Sequence, residues 1–444
     1  MPATEQALAL GSFDRPALGV AGAGAGSTRR TASRSLQVRV PRTRRFAAVA
    51  VTWRSDPALV SIRVSVRGRQ GSRWSAWQSA ATEEEGTPAA GQSHSGSDLV
   101  WLGWSTGIEA RVTGAGGRSP QDVQLQLIDP GTSSADASAG LPAPRDNATA
   151  ASTRPPINSR ATWGADEQMM TWPPEYSTTI KAGFVHHTVQ ANGYAAADVP
   201  AMIRSDYYYH AVTRGWGDIG YNFLVDRFGR LWQGRAGDPN QAAIGAHTGG
   251  FNNFTFGVGM LGTFSTTPVP YGTRAAIDNL FAWKLSTYGR DPLGYTELTS
   301  TGGGTSMYPA GVTVIKPVIM GHRDVGATDC PGYYAYQIIP TIRAEVMKLV
   351  PVTGATDGGP TGPWPLIGSQ VFATAGSSRV INGVPDSQAG YRLDIMTIQR
   401  EAGAAMTGRY DSATWPRVQH WQALVGLPQT GVVDKLTWDT MAVR

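Results

Sequence analysis

The first third of the chain alternates apolar and polar residues, which is the period of a β-strand with one buried face. The run SIRVSVR at 61–67 is the clearest, and four further runs share its pattern: 36–40, 46–53, 108–112 and 123–128. Turns rich in Gly, Ser and Pro separate these runs at intervals typical of a β-sandwich. The pattern therefore predicts an all-β, sandwich-like domain at residues 34–130, preceded by an N-terminal tail at residues 1–33.

From residue 157 the pattern changes to short apolar strands that alternate with helical periods. Two short apolar runs, at 184–188 and 318–322, each contain or lead into a histidine. At 273–288 the apolar residues instead recur at the spacing of an amphipathic helix. Strands that alternate with helices in this way are typical of mixed α/β folds. The sequence therefore predicts a mixed α/β domain at residues 157–350.

Two segments rich in Gly, Pro, Thr and other small residues, at 131–156 and 351–365, are predicted linkers. After the second, the motif G-x-x-D-x-x-T-W occurs twice, beginning at Gly408 and Gly431, with its Asp placed to cap a helix. This repeat is similar to the three-helix peptidoglycan-binding module found at the ends of wall hydrolases, and the alternative is a generic helical bundle. We therefore predict a small three-helix module at residues 366–444.

The charge of the chain adds a candidate surface to this picture. The formal net charge is +5, and seven arginines fall between Arg29 and Arg45. These arginines form either a solvated strand face or a contact with anionic wall polymers. No nucleic-acid-binding motif accompanies them, so nucleic acid is not a predicted partner. No apolar run reaches 18 residues, and no transmembrane span is predicted.

Four tryptophans in the β domain leave two interpretations open. Trp74, Trp77, Trp101 and Trp104 either form a carbohydrate-binding platform or fill the core of the domain. This domain has no constellation of residues typical of catalysis, so its role is not predicted.

The chain has a single cysteine, Cys330, which is a buried small hydrophobe, a nucleophile or a metal thiolate. An apolar run delivers His322 at its end, and Cys330 follows eight residues later, before a turn-forming Pro-Gly pair. Another apolar run leads into His186. The three residues make a His2Cys set with a fourth position open, which is the pattern of a catalytic zinc site rather than a structural one.

Five motifs occur in order between residues 155 and 350: SRATWGA from Ser159, VHHT from Val185, DIGYNFLV from Asp218, GAHT from Gly245 and GHRDVGATDCPG from Gly321. Together they resemble the zinc N-acetylmuramoyl-L-alanine amidases, in the branch shared by peptidoglycan recognition proteins and the T7-type phage lysozyme. The resemblance implies Zn2+ as cofactor and peptidoglycan as substrate. The bond cut would join N-acetylmuramic acid to the L-alanine of the stem peptide.

The resemblance also implies roles for residues that are not ligands. Tyr221 matches the tyrosine near the zinc water and is a candidate catalytic residue, as is Thr328, which stands where the phage branch carries lysine. His247 matches a substrate contact on the cleft wall. His187 neighbours a ligand, and because side chains alternate along a strand it is predicted to point to the other face.

Family members that only bind muropeptides have lost catalysis and typically replace the cysteine ligand. Cys330 therefore favours an enzyme over the alternative of a non-catalytic peptidoglycan-binding recognition protein. Glycan cleavage is a further alternative, but no well-placed carboxylate pair supports it. The resemblance implies a secreted or cell-wall-associated bacterial hydrolase that remodels or lyses the wall, such as an autolysin. No oligomeric state is predicted.

Overall fold

The computed structural model describes residues 1–12, 15–16, 27–31, 35–56, 62–80, 94–114, 120–138, 154–350, 366, 371–374, 380–383, 391–404, 407 and 409–442. The predicted linker at 351–365 and Gly408 of the first repeat lie outside these residues. Within them, no helix combines the length and the apolar character needed to cross a membrane.

The N-terminal domain is all β. Its strands within the described residues are β1 (Thr4–Ser12), β2 (Arg15–Pro16), β3 (Ser27–Thr31), β4 (Ser35–Val40), β5 (Phe46–Arg54), β6 (Ile62–Gln70), β7 (Arg73–Trp74), β8 (Gln78–Ala80), β9 (His94–Gly96), β10 (Val100–Ser105), β11 (Ile108–Gly114) and β12 (Val123–Asp129). They form two antiparallel sheets, ordered β10-β5-β12-β1-β2 with β9 beside β5, and β3-β4-β11-β6-β7 with β8 beside β6. One apolar cluster fills the space between the sheets, which confirms the predicted sandwich-like domain.

The prediction of a tail at 1–33 was wrong for the described residues in that range. Strand β1 pairs antiparallel with β12, from Thr4 opposite Asp129. Leu8 and Leu10 point into the core, where each is at most 2% exposed. The alternation around them is built from Ala and Gly as much as from large residues, so its apolar period is faint. The pairing partner lies more than 110 residues away in sequence, roughly the length of the domain, and no local pattern reports it.

The predicted linker at 131–156 also begins with ordered structure. A 3-10 helix spans Ser134–Ser138, and its Asp136 forms an ion pair with Arg204 of the next domain, with 2.8 Å between carboxylate and guanidinium.

The central domain is a mixed sheet with helices on both faces. Its elements are β13 (Ile157–Asn158), α1 (Arg160–Trp163), β14 (Ala182–His187), α2 (Val199–Tyr208), β15 (Phe223–Val225), β16 (Leu231–Gln233), β17 (Thr255–Met260), α3 (Tyr271–Thr287), β18 (Tyr295–Thr299), β19 (Thr313–Pro317), β20 (Ile319–Gly321), α4 (Tyr333–Gln337) and α5 (Ile339–Leu349). The sheet order is β13-β16-β15-β17-β14-β20, while β18 and β19 form a separate hairpin. The predicted mixed α/β class is therefore confirmed.

The two faces of this sheet bury different partners. Helices α3 and α5 cover one face, through residues such as Leu280, Phe281 and Ile342. Helix α2 covers the other face with Met202 and Ile203. The same cluster continues into the N-terminal domain through apolar side chains on β5, β10 and β12: Ala47, Ala48, Ala50, Trp101 and Ile128. Helix α2 is thus buried between two domains, which share one apolar core.

The C-terminal module contains β21 (Val371–Phe372), β22 (Val380–Ile381), α6 (Arg392–Glu401), α7 (Thr414–Leu424) and α8 (Lys435–Ala442). The three helices agree with the predicted three-helix module. Its repeat extends further than the motif read from the sequence. Gln399 and Gln422, both buried, use the side-chain nitrogen in the same way, each with two threonine hydroxyl oxygens and one backbone carbonyl within hydrogen-bonding distance of its two N–H groups. The repeat therefore specifies a buried polar contact as well as a helix cap.

The four tryptophans of the β domain do not share one role, since one belongs to the core and the others are half-buried or exposed. Trp101 is 4% exposed and belongs to the shared core, whereas Trp104 is 38% exposed. Trp74 and Trp77 are half-buried, and arginine side chains lie against their rings.

Candidate metal centre

Two neighbouring parallel strands bring the histidines together. Strand β14, buried along its whole length, ends at His187, and β20 runs parallel beside it with Val185 opposite Gly321. His322 is the next residue after β20 and opens a 3-10 turn. Because the carboxyl ends of parallel strands meet at one edge of the sheet, His186 and His322 lie side by side, with 4.9 Å between ring centroids.

Hydrogen bonds hold the loop that carries the cysteine. Asp324 accepts from the Gly321 amide at 2.8 Å and from the Tyr336 hydroxyl at 2.7 Å, and so ties the turn to α4. The Arg323 amide donates to the Cys330 carbonyl at 3.0 Å. The loop thereby folds back and places Cys330, which is 0% exposed, against the histidines.

The predicted ligand set is brought together. One donor atom from each of His186, His322 and Cys330 lies within 4.8 Å of the other two. Cys330 Sγ is 3.5 Å from His186 Nδ1. His322 Nδ1 is buried and has no hydrogen-bond partner within the described part of the chain. A buried nitrogen left unsatisfied is costly, and a bound cation would satisfy it. Two imidazole nitrogens and one sulfur are a donor set that suits zinc.

Burial keeps both imidazoles neutral. It lowers the pKa of His322 to about 3, and it lowers the pKa of His186 well below the usual value, with a smaller contribution from the neighbouring histidines. A neutral imidazole has a lone pair free to bind a metal, whereas imidazolium has none. The electrostatics of the cluster therefore favour ligation at neutral pH.

Neighbouring side chains orient each imidazole through its other nitrogen. His186 Nε2 lies 3.1 Å from His247 Nδ1, and His322 Nε2 lies 3.2 Å from the Thr305 hydroxyl. Such outer contacts set the tautomer and the ring orientation of metal-binding histidines. Thr305 was missed from the sequence, because it lies in a Gly-rich loop with no strand or helix period to mark it.

His247 is not on a cleft wall in this structure. Its side chain is 0% exposed and lies behind His186, where its Nδ1 is also 2.9 Å from the Thr248 hydroxyl. This placement favours a positioning role over the predicted substrate contact, because a fully buried ring has no surface to offer a ligand. Its Nε2 has no hydrogen-bond partner among the described residues.

Two glycines of β17 make room for the residues around the cluster. A Cβ on Gly257 would lie 2.5 Å from the His247 ring, and one on Gly259 would lie 3.0 Å from the Tyr221 ring. Glycine inside a strand marks a close approach of this kind. The Gly-Val-Gly pattern at 257–259 is therefore a sequence signal that large side chains, here the rings of His247 and Tyr221, pack closely against this strand.

Tyr221 lies beside the cluster, just before β15. Its ring centroid is 5.5 Å from that of His186, and its hydroxyl is 3.5 Å from the His187 carbonyl oxygen. The side chain is 2% exposed. His187 itself turns away, as strand alternation predicts, and its Nδ1 accepts from the Phe264 amide at 3.2 Å.

Thr328 stabilises the turn before the cysteine. Its hydroxyl accepts from the Cys330 amide at 3.0 Å, and the residue is half-buried. In this conformation the hydroxyl is engaged locally and acts on the position of Cys330.

A small pocket lies beside Tyr221, and both domains line it. The central domain contributes Asp206, His210 and Trp216, while residues 97–99 come from the β domain. The Trp216 indole nitrogen has no hydrogen-bond partner among the described residues, and burial raises the pKa of Asp206 well above its usual value. The pocket therefore carries polar groups, and it reaches the candidate catalytic tyrosine.

Three family models match separate parts of the chain. Residues 176–333 match the model described as N-acetylmuramoyl-L-alanine amidase. Residues 2–150 match one described as Rv3811 N-terminal galactose-binding domain-like, and residues 388–441 match a putative peptidoglycan binding domain.

Similar proteins cover less than half of the chain. Peptidoglycan-recognition protein SC1a/b of Drosophila simulans is 26% identical over 183 residues, which are 41% of this chain and 83% of that protein. The N-acetylmuramoyl-L-alanine amidase of Homo sapiens is 31% identical over 194 residues, 42% of this chain but 28% of its own length. The solved structure of Drosophila PGRP-LB is 25% identical, covering 42% of this chain and 93% of its own, with a TM-score of 0.33.

The family models give the class of protein that this chain resembles. Its central part is similar to the N-acetylmuramoyl-L-alanine amidases, and it lies between parts similar to a galactose-binding-like domain and a peptidoglycan-binding domain. The resemblance read from the five motifs is confirmed.

Proposed function

We propose that this chain is a zinc-dependent N-acetylmuramoyl-L-alanine amidase, which hydrolyses the amide bond between N-acetylmuramic acid and the L-alanine of the stem peptide. The observation that carries the proposal is the buried cluster of His186, His322 and Cys330, in which His322 Nδ1 has no protein partner among the described residues. The family match and the amidase relatives support the same bond.

The residues of the chain hold and orient the reacting groups. His186, His322 and Cys330 would bind Zn2+, and His247 and Thr305 keep the two imidazoles in place. Bound there, Zn2+ supplies Lewis-acid chemistry that keeps the Cys330 sulfur deprotonated, lowers the pKa of water and polarises an amide carbonyl. Tyr221, buried beside His186, is placed to donate its hydroxyl proton to oxygen where negative charge develops.

The main alternative is a recognition protein that binds peptidoglycan without cutting it. Cys330 and both histidines are present and converge, which favours the enzyme. The peptidoglycan-binding match at 388–441 suits either function, since it concerns attachment to the wall. We further propose that the chain acts where its substrate lies, as a secreted or cell-wall-associated protein with peptidoglycan as its partner.

The decisive experiment is digestion of purified peptidoglycan by the zinc-loaded chain, followed by mass spectrometry. We expect free stem peptides with L-alanine at the amino terminus, loss of activity after chelation and recovery when Zn2+ is restored. Cys330→Ser is the matched control, because it exchanges a sulfur for an oxygen; we expect low zinc content by metal analysis and no cleavage. A zinc-loaded chain that binds peptidoglycan but releases no peptide would instead support the recognition protein.

A further inference from the structure

The outward face of the second sheet of the β domain carries an ordered row of cations. Along β11, Ile108, Ala110 and Val112 are buried in the core, and the residues between them point outward. The register pairs Glu109 with Arg39 on β4 and with Arg67 on β6. Arg111 and Arg63 are exposed on the same face.

Arginines and tryptophans alternate across this face. The guanidinium carbons of Arg39 and Arg67 each lie 5.4 Å from the centre of the Trp74 ring. Arg67 also lies 4.8 Å from the Trp77 ring, and Arg111 lies 4.1 Å from it. Each indole therefore has two guanidinium groups within cation–π distance. We call the surface formed by these five residues and Arg63 the arginine ladder.

Glu109 fixes the ladder without neutralising it. Its side chain is buried under the two arginines that it pairs with, at 2.9 Å from Arg39 and 2.6 Å from Arg67. It is the one carboxylate among the described strand residues of this face, which also carries Arg39, Arg63, Arg67 and Arg111. Arg69 of β6 lies on the same face, so four positive charges have no carboxylate to balance them among the described strand residues. Ring contacts and an ion pair already restrain Arg39, Arg67 and Arg111. Little rotamer entropy is left to lose when an anion binds.

We propose that the arginine ladder binds an anionic glycopolymer of the cell wall, a chain of sugar or polyol units joined by phosphodiesters. Guanidinium groups pair with phosphate oxygens through parallel hydrogen bonds, and a row of them at strand spacing suits a ligand with one charge per repeat unit. The face is the outward surface of a sheet, which suits an extended polymer. The other two domains match an amidase and a peptidoglycan-binding family, so a wall polymer is the polyanion that this chain would meet.

The test uses soluble poly(glycerol phosphate), which contains no muramoyl-alanine bond, so its outcome is independent of amidase activity. Calorimetry on the full chain should show binding that weakens with salt and is absent with neutral dextran. Arg111→Gln should weaken binding about tenfold, as loss of one charge-assisted contact does. Arg54→Gln is the matched control, since Arg54 is exposed on the other sheet and its change removes the same charge. It should leave the affinity within about twofold.

Three results would overturn the proposal. Equal weakening by Arg54→Gln would mean that only net charge matters, and tighter binding of a 20-base-pair DNA duplex than of the polymer would assign the face to nucleic acid. The third is unchanged affinity in Arg111→Gln, which would mean that the polymer binds elsewhere on the chain. Circular dichroism and melting of each variant confirm that it is folded.

Discussion

At the scale of single residues, the candidate metal centre depends on side chains that are not themselves proposed ligands. His247 and Thr305 contact the second nitrogens of His186 and His322, so each imidazole can present its Nδ1 to a cation. Thr328 and Asp324 hold the loop that brings Cys330 to the histidines. The three proposed ligands are therefore pre-positioned, which lowers the entropy cost of binding a metal.

Tyr221→Phe tests the hydroxyl of the tyrosine whose ring lies beside the cluster. Because the ring packs closely over Gly259, phenylalanine should keep the fold and the zinc content unchanged. If the hydroxyl donates to developing negative charge, kcat should fall roughly 10²–10³-fold with little change in KM. Steady-state kinetics on a soluble muropeptide, with metal analysis and melting temperature, measures this pattern.

Tyr194→Phe is the control for that variant. Tyr194 is also buried in the central domain, but its hydroxyl donates to the Leu261 carbonyl at 3.0 Å, and the residue is not among those that line the metal cluster. It should keep kcat near the parent value. A near-normal kcat in Tyr221→Phe would mean that the hydroxyl is dispensable and that Tyr221 serves only in packing.

At the scale of elements, helix α2 ends in a π-helical turn, Tyr209–Thr213, that carries His210. The extra residue in such a turn shifts the side chains that follow, and π turns are frequent at functional sites. Here the His210 ring stacks on Trp216 with 4.7 Å between centroids, and its Nδ1 accepts from the Gly220 amide at 3.2 Å. The turn thereby connects α2 to the segment that leads into Tyr221.

His210 should make folding stability depend on pH. Burial lowers its pKa from 6.5 to about 3 in the folded chain. Between these values the unfolded chain binds a proton that the folded chain does not, so stability is fully present above pH 6.5 and decreases as the pH falls towards 3. The free energy of unfolding should therefore change by up to about 1.4 kcal/mol per pH unit because of His210.

His210→Asn isolates this contribution, since the asparagine oxygen can still accept from Gly220 but does not titrate. Urea unfolding at several pH values between 7 and 4 should show a shallower decline than in the parent, although the variant is less stable at pH 7 because it loses the stack on Trp216. The other buried histidines titrate in both chains and cancel in the difference. Identical slopes would show that His210 is not the group responsible.

At the scale of the whole molecule, the β domain and the central domain are packed as one unit. They share the apolar cluster around α2, and Arg204 on that helix joins them. Its guanidinium donates to the Pro130 carbonyl at 2.9 Å and to the Trp163 carbonyl at 2.7 Å, besides its ion pair with Asp136. A hydroxyl contact adds to these, from Tyr209 to the Ser97 carbonyl at 2.7 Å.

Arg204→Leu should weaken the packing of the β domain against the central domain. It leaves two buried carbonyls and one partly exposed carboxylate without their partner, which should cost roughly 2–4 kcal/mol. Calorimetric unfolding should change from one transition for the two domains to two separate transitions, with the lower one shifted to lower temperature. Arg227→Leu is the control, because Arg227 is exposed and contacts the Asn192 carbonyl within the central domain. A single unshifted transition in Arg204→Leu would argue against the shared unit.

Removal of the C-terminal module should separate attachment from catalysis. A chain ending at Val350 loses the ion pair between Arg400 and Asp291, whose carboxylate is partly exposed, so the central domain should keep its fold. It should cleave soluble muropeptides at the parent rate but sediment less with intact sacculi, since a second binding module raises the effective concentration at an insoluble substrate. Sedimentation equal to that of the full chain would show that the module contributes no wall affinity.

Several features could be predicted from the sequence because they are local. The strands leading to His186 and His322, the cysteine before a Pro-Gly turn and the repeated helix caps each lie within about a dozen residues. Short-range hydrophobic periods and the chemistry of side chains report burial and ligand type directly. These signals were enough to predict the class of each domain: all-β, mixed α/β and three-helix. They were also enough to predict a ligand set whose members the fold brings together.

Other features were decided by contacts between distant parts of the chain. The pairing of β1 with β12, the place of His247 behind His186 and the continuation of the core from α2 to Ala47 and Ala48 all join residues more than 60 positions apart. A hydrophobic period shows that a residue is buried but not what it is buried against, since many partners satisfy the same pattern. The sequence by itself thus determined the chemistry and the local elements of this protein. The tertiary structure decided which side chains contact each histidine ring, because only packing selects among the possible partners.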